Sequence, residues 1–95
     1  MAFESIKLIP SSTSRDAQLL ILIEKVLNSE EDELVIKIID TISSSTEKSK
    51  AIGISINHYI KTDKLYLIPN IINFNPSSTS KEQNVILFLD ALYKR

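Results

Sequence analysis

A single glycine, Gly53, serves this whole chain. Glycine reaches left-handed backbone angles without steric cost. A chain with only one must build its turns from Ser, Asn, Asp and Pro. A phosphate-cradling loop that needs several glycines is excluded. The absence of cysteine removes disulfides, thiolate nucleophiles and cysteine-ligated metals. Eleven basic and 12 acidic residues leave a formal net charge of −1. That balance gives no electrostatic reason to expect nucleic acid or an anionic membrane. No apolar run approaches the roughly 20 residues of a membrane span. The start Met1-Ala2-Phe3-Glu4 lacks the basic residues and apolar core of a secretory signal. The expectation is a single cytoplasmic domain over residues 1–95, with ordinary globular content: 43% hydrophobic and 24% charged.

The turn-forming residues concentrate in a motif that occurs twice, as Pro10-Ser11-Ser12-Thr13-Ser14 and as Pro76-Ser77-Ser78-Thr79-Ser80. Each copy precedes an apolar segment. Hydroxyls at such positions accept hydrogen bonds from the orphan N–H groups of a first helical turn. Thr79 with Glu82, Ser80 with Gln83 and, more weakly, Thr13 with Asp16 have capping-box spacing. Arg15 and Lys81 are not placed like a phosphate-binding P-loop lysine. Helix capping therefore accounts for both copies better than anion binding or domain duplication does.

The intervening pattern reads as alternating strands and helices. Ile6–Ile9, stopped by Pro10, is expected to be a first strand. Ala17–Leu27 is too long for a strand and reads as a helix buried against a sheet. The acidic turn Ser29-Glu30-Glu31-Asp32-Glu33 is expected to be solvated. Leu34–Ile39, near-continuous and β-branched, reads as a strand covered on both faces. Glu47–Ile52 is a short helix candidate. Ile54–Ile60 and Leu65–Ile68, joined by Lys61-Thr62-Asp63-Lys64, read as a β-hairpin. Asn70 to Asn75 fits a strand or a loop. Val85–Leu92 is a closing helix, with Val85, Phe88, Leu89 and Leu92 on one face.

No constellation supplies catalysis. The one histidine, His58, falls within a presumed strand, where a lone histidine is more often solvent-facing than catalytic. No carboxylate pair sits where its two pKa values would be driven apart. The expectation is a protein that is not an enzyme, with no catalytic residue, cofactor or metal.

Ser11 and Ser14 stand at the C-x-x-C interval where a thioredoxin carries its dithiol, and the serines abolish that redox chemistry. The segments "IKLIPSSTS", "LVIKIIDTI" (34–42) and "SKEQNVILFLDALY" (80–93) resemble the KaiB family of circadian-clock proteins and the KaiB-like sensory domain of the kinase SasA. The chain departs from that family at Gly53 to Asn57, where the family's Thr-Pro-Thr is missing. It also departs at Lys61 to Lys64 and before the closing helix. The resemblance implies an α/β, thioredoxin-like fold, a mixed four-stranded sheet with three helices in the order β-α-β-α-β-β-α. It implies a non-enzymatic protein that docks on a KaiC-type ATPase in clock or stress signalling, or a sensory or adaptor domain of a larger protein such as a histidine kinase. Carried onto this chain, the docking surface would include Lys37 and Asp40, and helix geometry would add Glu24 and Lys25. A homo-oligomeric state stays open.

Overall fold

The computed structural model describes residues 2–94, and among them every regular element is helical. The elements are α1 (Ala2–Ile6), α2 (Ser12–Asn28), α3 (Asp32–Thr41), α4 (Ser45–Lys61), a 3-10 turn (Leu65–Leu67), α5 (Ile68–Ile72) and α6 (Ser78–Tyr93). The thioredoxin-like β-α-β-α-β-β-α fold expected from the sequence is therefore overturned. The segment Ile6–Ile9 is the end of α1 and a turn, Leu34–Ile39 lies inside α3, and Ile54–Ile60 lies inside α4. Leu65–Ile68 is the 3-10 turn running into α5. The helices expected at Ala17–Leu27, Glu47–Ile52 and Val85–Leu92 lie within α2, α4 and α6, which all extend beyond those limits.

The reason lies in the period of the buried residues. In α3, Val35, Ile38 and Ile39 are buried, followed by Ile42, while Lys37 and Asp40 are exposed. That spacing is helical, and β-branching alone does not outweigh it. Ile54–Ile60 alternates apolar and polar only within a short window. Over the longer run the buried residues are Ala51, Ile52, Ser55, Ile56 and Tyr59, again one helical face. Ser55 is tolerated there because its hydroxyl donates to the Ala51 carbonyl at 2.8 Å.

Capping accounts for the repeated motif, through a different serine from those paired above. Ser11 accepts from the Ser14 N–H at 3.4 Å and Ser77 from the Ser80 N–H at 3.1 Å. The second residue of each Pro-Ser-Ser-Thr-Ser copy is thus the N-cap. Ser44 caps α4 in the same way, accepting from the Glu47 N–H at 3.4 Å.

The scarcity of glycine shows at the other helix ends. Glu30 (φ 63°) and Asp63 (φ 61°) hold the left-handed positions that follow α2 and α4. After α4, the Asp63 N–H donates to Ile60 O at 3.3 Å and the Lys64 N–H to Tyr59 O at 2.8 Å, a Schellman pairing. Meanwhile Gly53 sits inside α4 without a positive φ, and a Cβ there would meet nothing within 4 Å. Gly53→Ala is therefore expected to raise stability by about 0.5–1 kcal/mol, because glycine costs that much in a helix interior. A lower urea midpoint for the variant would contradict this placement.

Helix α4 is the hub. It packs against α2, α3, the 3-10 turn, α5 and α6, while α2 also holds α1 and α3. The core joins Leu19, Ile23 and Val26 of α2 to Ile38 and Ile39 of α3, Ile52 and Ile56 of α4, and Ile68 and Ile71 of α5. The molecule measures 43 × 28 × 15 Å. At interaxial distances of about 8–10 Å, the short direction holds only two helix layers. An element at the edge of so thin a body is covered on one side only.

Candidate functional site

Helix α6 is that element. None of its residues is buried, although it carries a continuous apolar run from Val85 to Leu89. Val85, Phe88 and Ala91 rest half-buried against the core, and the Asn84 amide donates to Asn75 Oδ1 at 3.0 Å. Away from the core the helix exposes Ile86 (59%), Leu89 (36%) and Tyr93 (79%), while Leu92 (38%), on the same face as Val85 and Phe88, is left uncovered near the helix end. Ile86, Leu89 and Tyr93 follow one another at i, i+3 and i+7, so they form a stripe along the helix. The sequence placed Val85, Phe88, Leu89 and Leu92 on one helical face; Val85 and Phe88 pack against the core, whereas Leu89 and Leu92 remain substantially exposed. The signal that marks this surface is the unbroken run itself. Consecutive apolar residues point all round a helix, and a two-layer body covers only part of that circumference.

The remaining surface features are grooves of smaller promise. Between α2 and α4 a groove of about 360 Å³ is lined by Glu24, Asn28, Asn57, His58 and Lys61 over Leu27 and Ile54. His58 stands edge-on to the Tyr59 ring, with centroids 5.7 Å apart. It lies on a helix, not on the strand expected. At the start of α3, Glu30, Glu31, Asp32 and Glu33 line a second groove with Lys37. Among the described residues, no group of three or more histidine or acidic side chains is placed to hold a metal ion, and no helix is long and apolar enough to cross a membrane.

The four expected docking residues, Lys37 and Asp40 from the family resemblance and Glu24 and Lys25 from helix geometry, are divided by the structure. Glu24 and Lys25 are exposed on α2, and Lys37 and Asp40 are exposed on α3. Glu24 and Lys37 line separate grooves. Lys37 was expected on the strand Leu34–Ile39 with Asp40 just after it, and the helical period of α3 puts both on a helix surface instead.

Two polar locks hold the frame on which these surfaces sit. Asp16 of α2 is only 2% exposed and accepts from the Ser43 N–H at 3.1 Å and the Ser44 N–H at 2.9 Å. Arg15 adds a bond from Nη2 to Ser43 Oγ at 3.2 Å. The start of α2 thereby grips the joint between α3 and α4.

At the opposite end of α4, Tyr59 donates to Asp32 Oδ1 at 3.0 Å. Lys64 Nζ lies 3.6 Å from both Asp32 Oδ2 and Glu30 Oε1. Burial, followed by the hydrogen bond and negative charge of Asp32, pushes the Tyr59 phenol above its ordinary range. The unfolded chain releases that proton near pH ~10, while the folded chain retains it. Stability from this group is therefore complete below about pH 10 and falls as pH rises further, because the folded state then binds more protons than the unfolded one. Urea titrations across that range are expected to show the wild type losing stability faster than Tyr59→Phe. Parallel curves for the two proteins would contradict the lock.

No family model matches this sequence, and no curated protein or solved structure matches it.

Proposed function

We propose that this chain is a non-catalytic docking module that works through protein–protein contact on α6. The observation that carries the reading is the Ile86–Leu89–Tyr93 stripe, a row of large apolar side chains on a helix that buries none of its residues. Contiguous exposed apolar surface of this kind marks interaction sites in soluble domains. Tyr93 at one end supplies the aromatic anchor that interface hot spots favour. The absence of catalysis is part of the proposal. The serine hydroxyls of Ser11, Ser44 and Ser77 act as helix caps, and that of Ser55 is tied to the Ala51 carbonyl. Docking on a KaiC-type ring through a first helix and second strand would need a strand at Leu34–Ile39, and that segment is helical. The surface offered instead is α6.

A photoreactive phenylalanine analogue tests this directly. Placed at Tyr93 in cells, it is expected to trap a protein, whereas the same analogue at Lys25 on α2 traps little. Adducts from Lys25 but not from Tyr93 would move the site to α2 and refute the proposal. Ile86→Glu should abolish the Tyr93 adduct while changing stability by less than about 1 kcal/mol, as expected of a surface substitution.

A further inference from the structure

Helices α2 and α4 run parallel: Asp16 meets Ser44 near their starts, and Asn28 and Lys61 border one groove at their ends. Glu24 and Asn28 line that groove from α2, and Asn57, His58 and Lys61 line it from α4. None of these five side chains makes a hydrogen bond or ion pair among the described residues. The other grooves differ, because the fold already engages most of their charged groups. Beside α3, Glu30 and Asp32 each face Lys64 at 3.6 Å, and Glu31 accepts from Ser29 at 3.0 Å. Between the starts of α2 and α4, Asp16 accepts from two backbone N–H groups and Glu47 pairs with Lys50.

The unused groups have a definite chemistry. Glu24 and Lys61 bring opposite charges to one groove, yet they form no ion pair with each other. A ligand that answers both must itself carry an ammonium, which donates to Glu24, and a carboxylate, which accepts from Lys61. Both bonds are then charge-assisted. The Asn28 and Asn57 amides each add donors and an acceptor, and the imidazole adds one more of either kind. His58 stands half-buried and edge-on to Tyr59, which Asp32 holds, so its ring is offered from a fixed base. Buried Leu27 and half-buried Ile54 supply an apolar floor. The volume of about 360 Å³ lies at the low end of small-molecule sites, which run to roughly 1,000 Å³. It suits one or two amino-acid residues and not a long segment.

We infer that this groove binds a small zwitterion with an apolar side chain, either a free amino acid or a dipeptide. The site shares no residue with α6, so it stands or falls separately from the docking reading.

Leucine is the probe. Titrated into the isotope-labelled full chain near neutral pH, it should produce saturable NMR shifts at residues 24–28 and 54–61, with a Kd of about 1 mM. The side-chain amide signals of Asn28 and Asn57 should move with them. N-acetyl-leucine lacks the ammonium and leucinamide lacks the carboxylate, so each should bind about fivefold more weakly or worse. Glu24→Gln should lose about fivefold in leucine affinity while holding N-acetyl-leucine as before, and Lys61→Met should do the same with leucinamide. Both positions are exposed, so the spectra without ligand should otherwise match the wild type. Leucyl-leucine separates the two sources. Tighter binding than leucine, with the same dependence on Glu24 and Lys61, identifies a dipeptide, and weaker binding a free amino acid. Three results would overturn the inference: no saturable shift with leucine or leucyl-leucine at about 20 mM, N-acetyl-leucine binding as tightly as leucine, or a Glu24→Gln chain that binds leucine unchanged.

Discussion

Asp16→Ala is expected to destabilise the fold by about 2–4 kcal/mol, a large share of the ~5–15 kcal/mol that holds a domain together. The carboxylate is buried and receives two backbone N–H groups, from Ser43 and Ser44, at 3.1 and 2.9 Å. Bonds to an ionised acceptor are stronger than neutral ones, and removing the acceptor strands both donors at the joint where α3 gives way to α4. The Ser44 N–H is the one that a capping box would satisfy with an acidic side chain three residues on. Here that residue is Glu47, which turns instead to Lys50 at 3.5 Å, and Asp16 supplies the carboxylate from another helix. Asp16→Asn keeps one acceptor oxygen and loses the charge, so its loss should be intermediate. Chemical denaturation of the three proteins checks the order. An Asp16→Ala variant as stable as the wild type would show that the joint is held some other way.

The second large effect separates helix from strand at Leu34–Ile39. Ile38→Ala and Ile39→Ala should each cost about 2–4 kcal/mol, since both side chains are fully buried and their removal leaves cavities. Leu34→Ala and Ile36→Ala should cost clearly less, because both are half-exposed, and exposed Lys37→Ala should be close to neutral. A strand sandwiched between two layers would bury both of its faces and would give no such gap between Ile36 and Ile38. Equal losses at Leu34, Ile36, Ile38 and Ile39 would contradict a helical α3.

These segments also show where the sequence was legible. The helix starts could be read, because serine capping is local chemistry set within one turn. The motifs at Pro10 and Pro76 do begin helices, with Ser11 and Ser77 as the caps. The long apolar segment after Pro10 could be read as well, since its length alone excludes a strand. What misled was composition over short windows. Leu34 to Ile39 is rich in β-branched residues, and Ile54 to Ile60 happens to alternate. In both, the decisive signal is the spacing of residues outside the window, Ile42 in one case and Ala51 and Ile52 in the other. The resemblance to the KaiB family implied the sheet that those two segments were expected to form.

The candidate surface was half visible. The apolar positions of α6 were recognised, and their division between inside and outside was not. That division depends on how many layers the body can place around the helix, which no local pattern records. Asp16 was visible only as a weak capping partner for its own helix. Its two actual partners lie 27 and 28 residues away.

The central claim is that the chain is helical from α2 through α6, with no sheet for α6 to complete. Backbone NMR chemical shifts test it most directly. Across residues 34–39 and 54–60, the Cα shifts should move downfield and the Cβ shifts upfield of random-coil values, continuously with their flanking residues, as in a helix. Shifts of the opposite sign in either segment would place a strand there and contradict the fold.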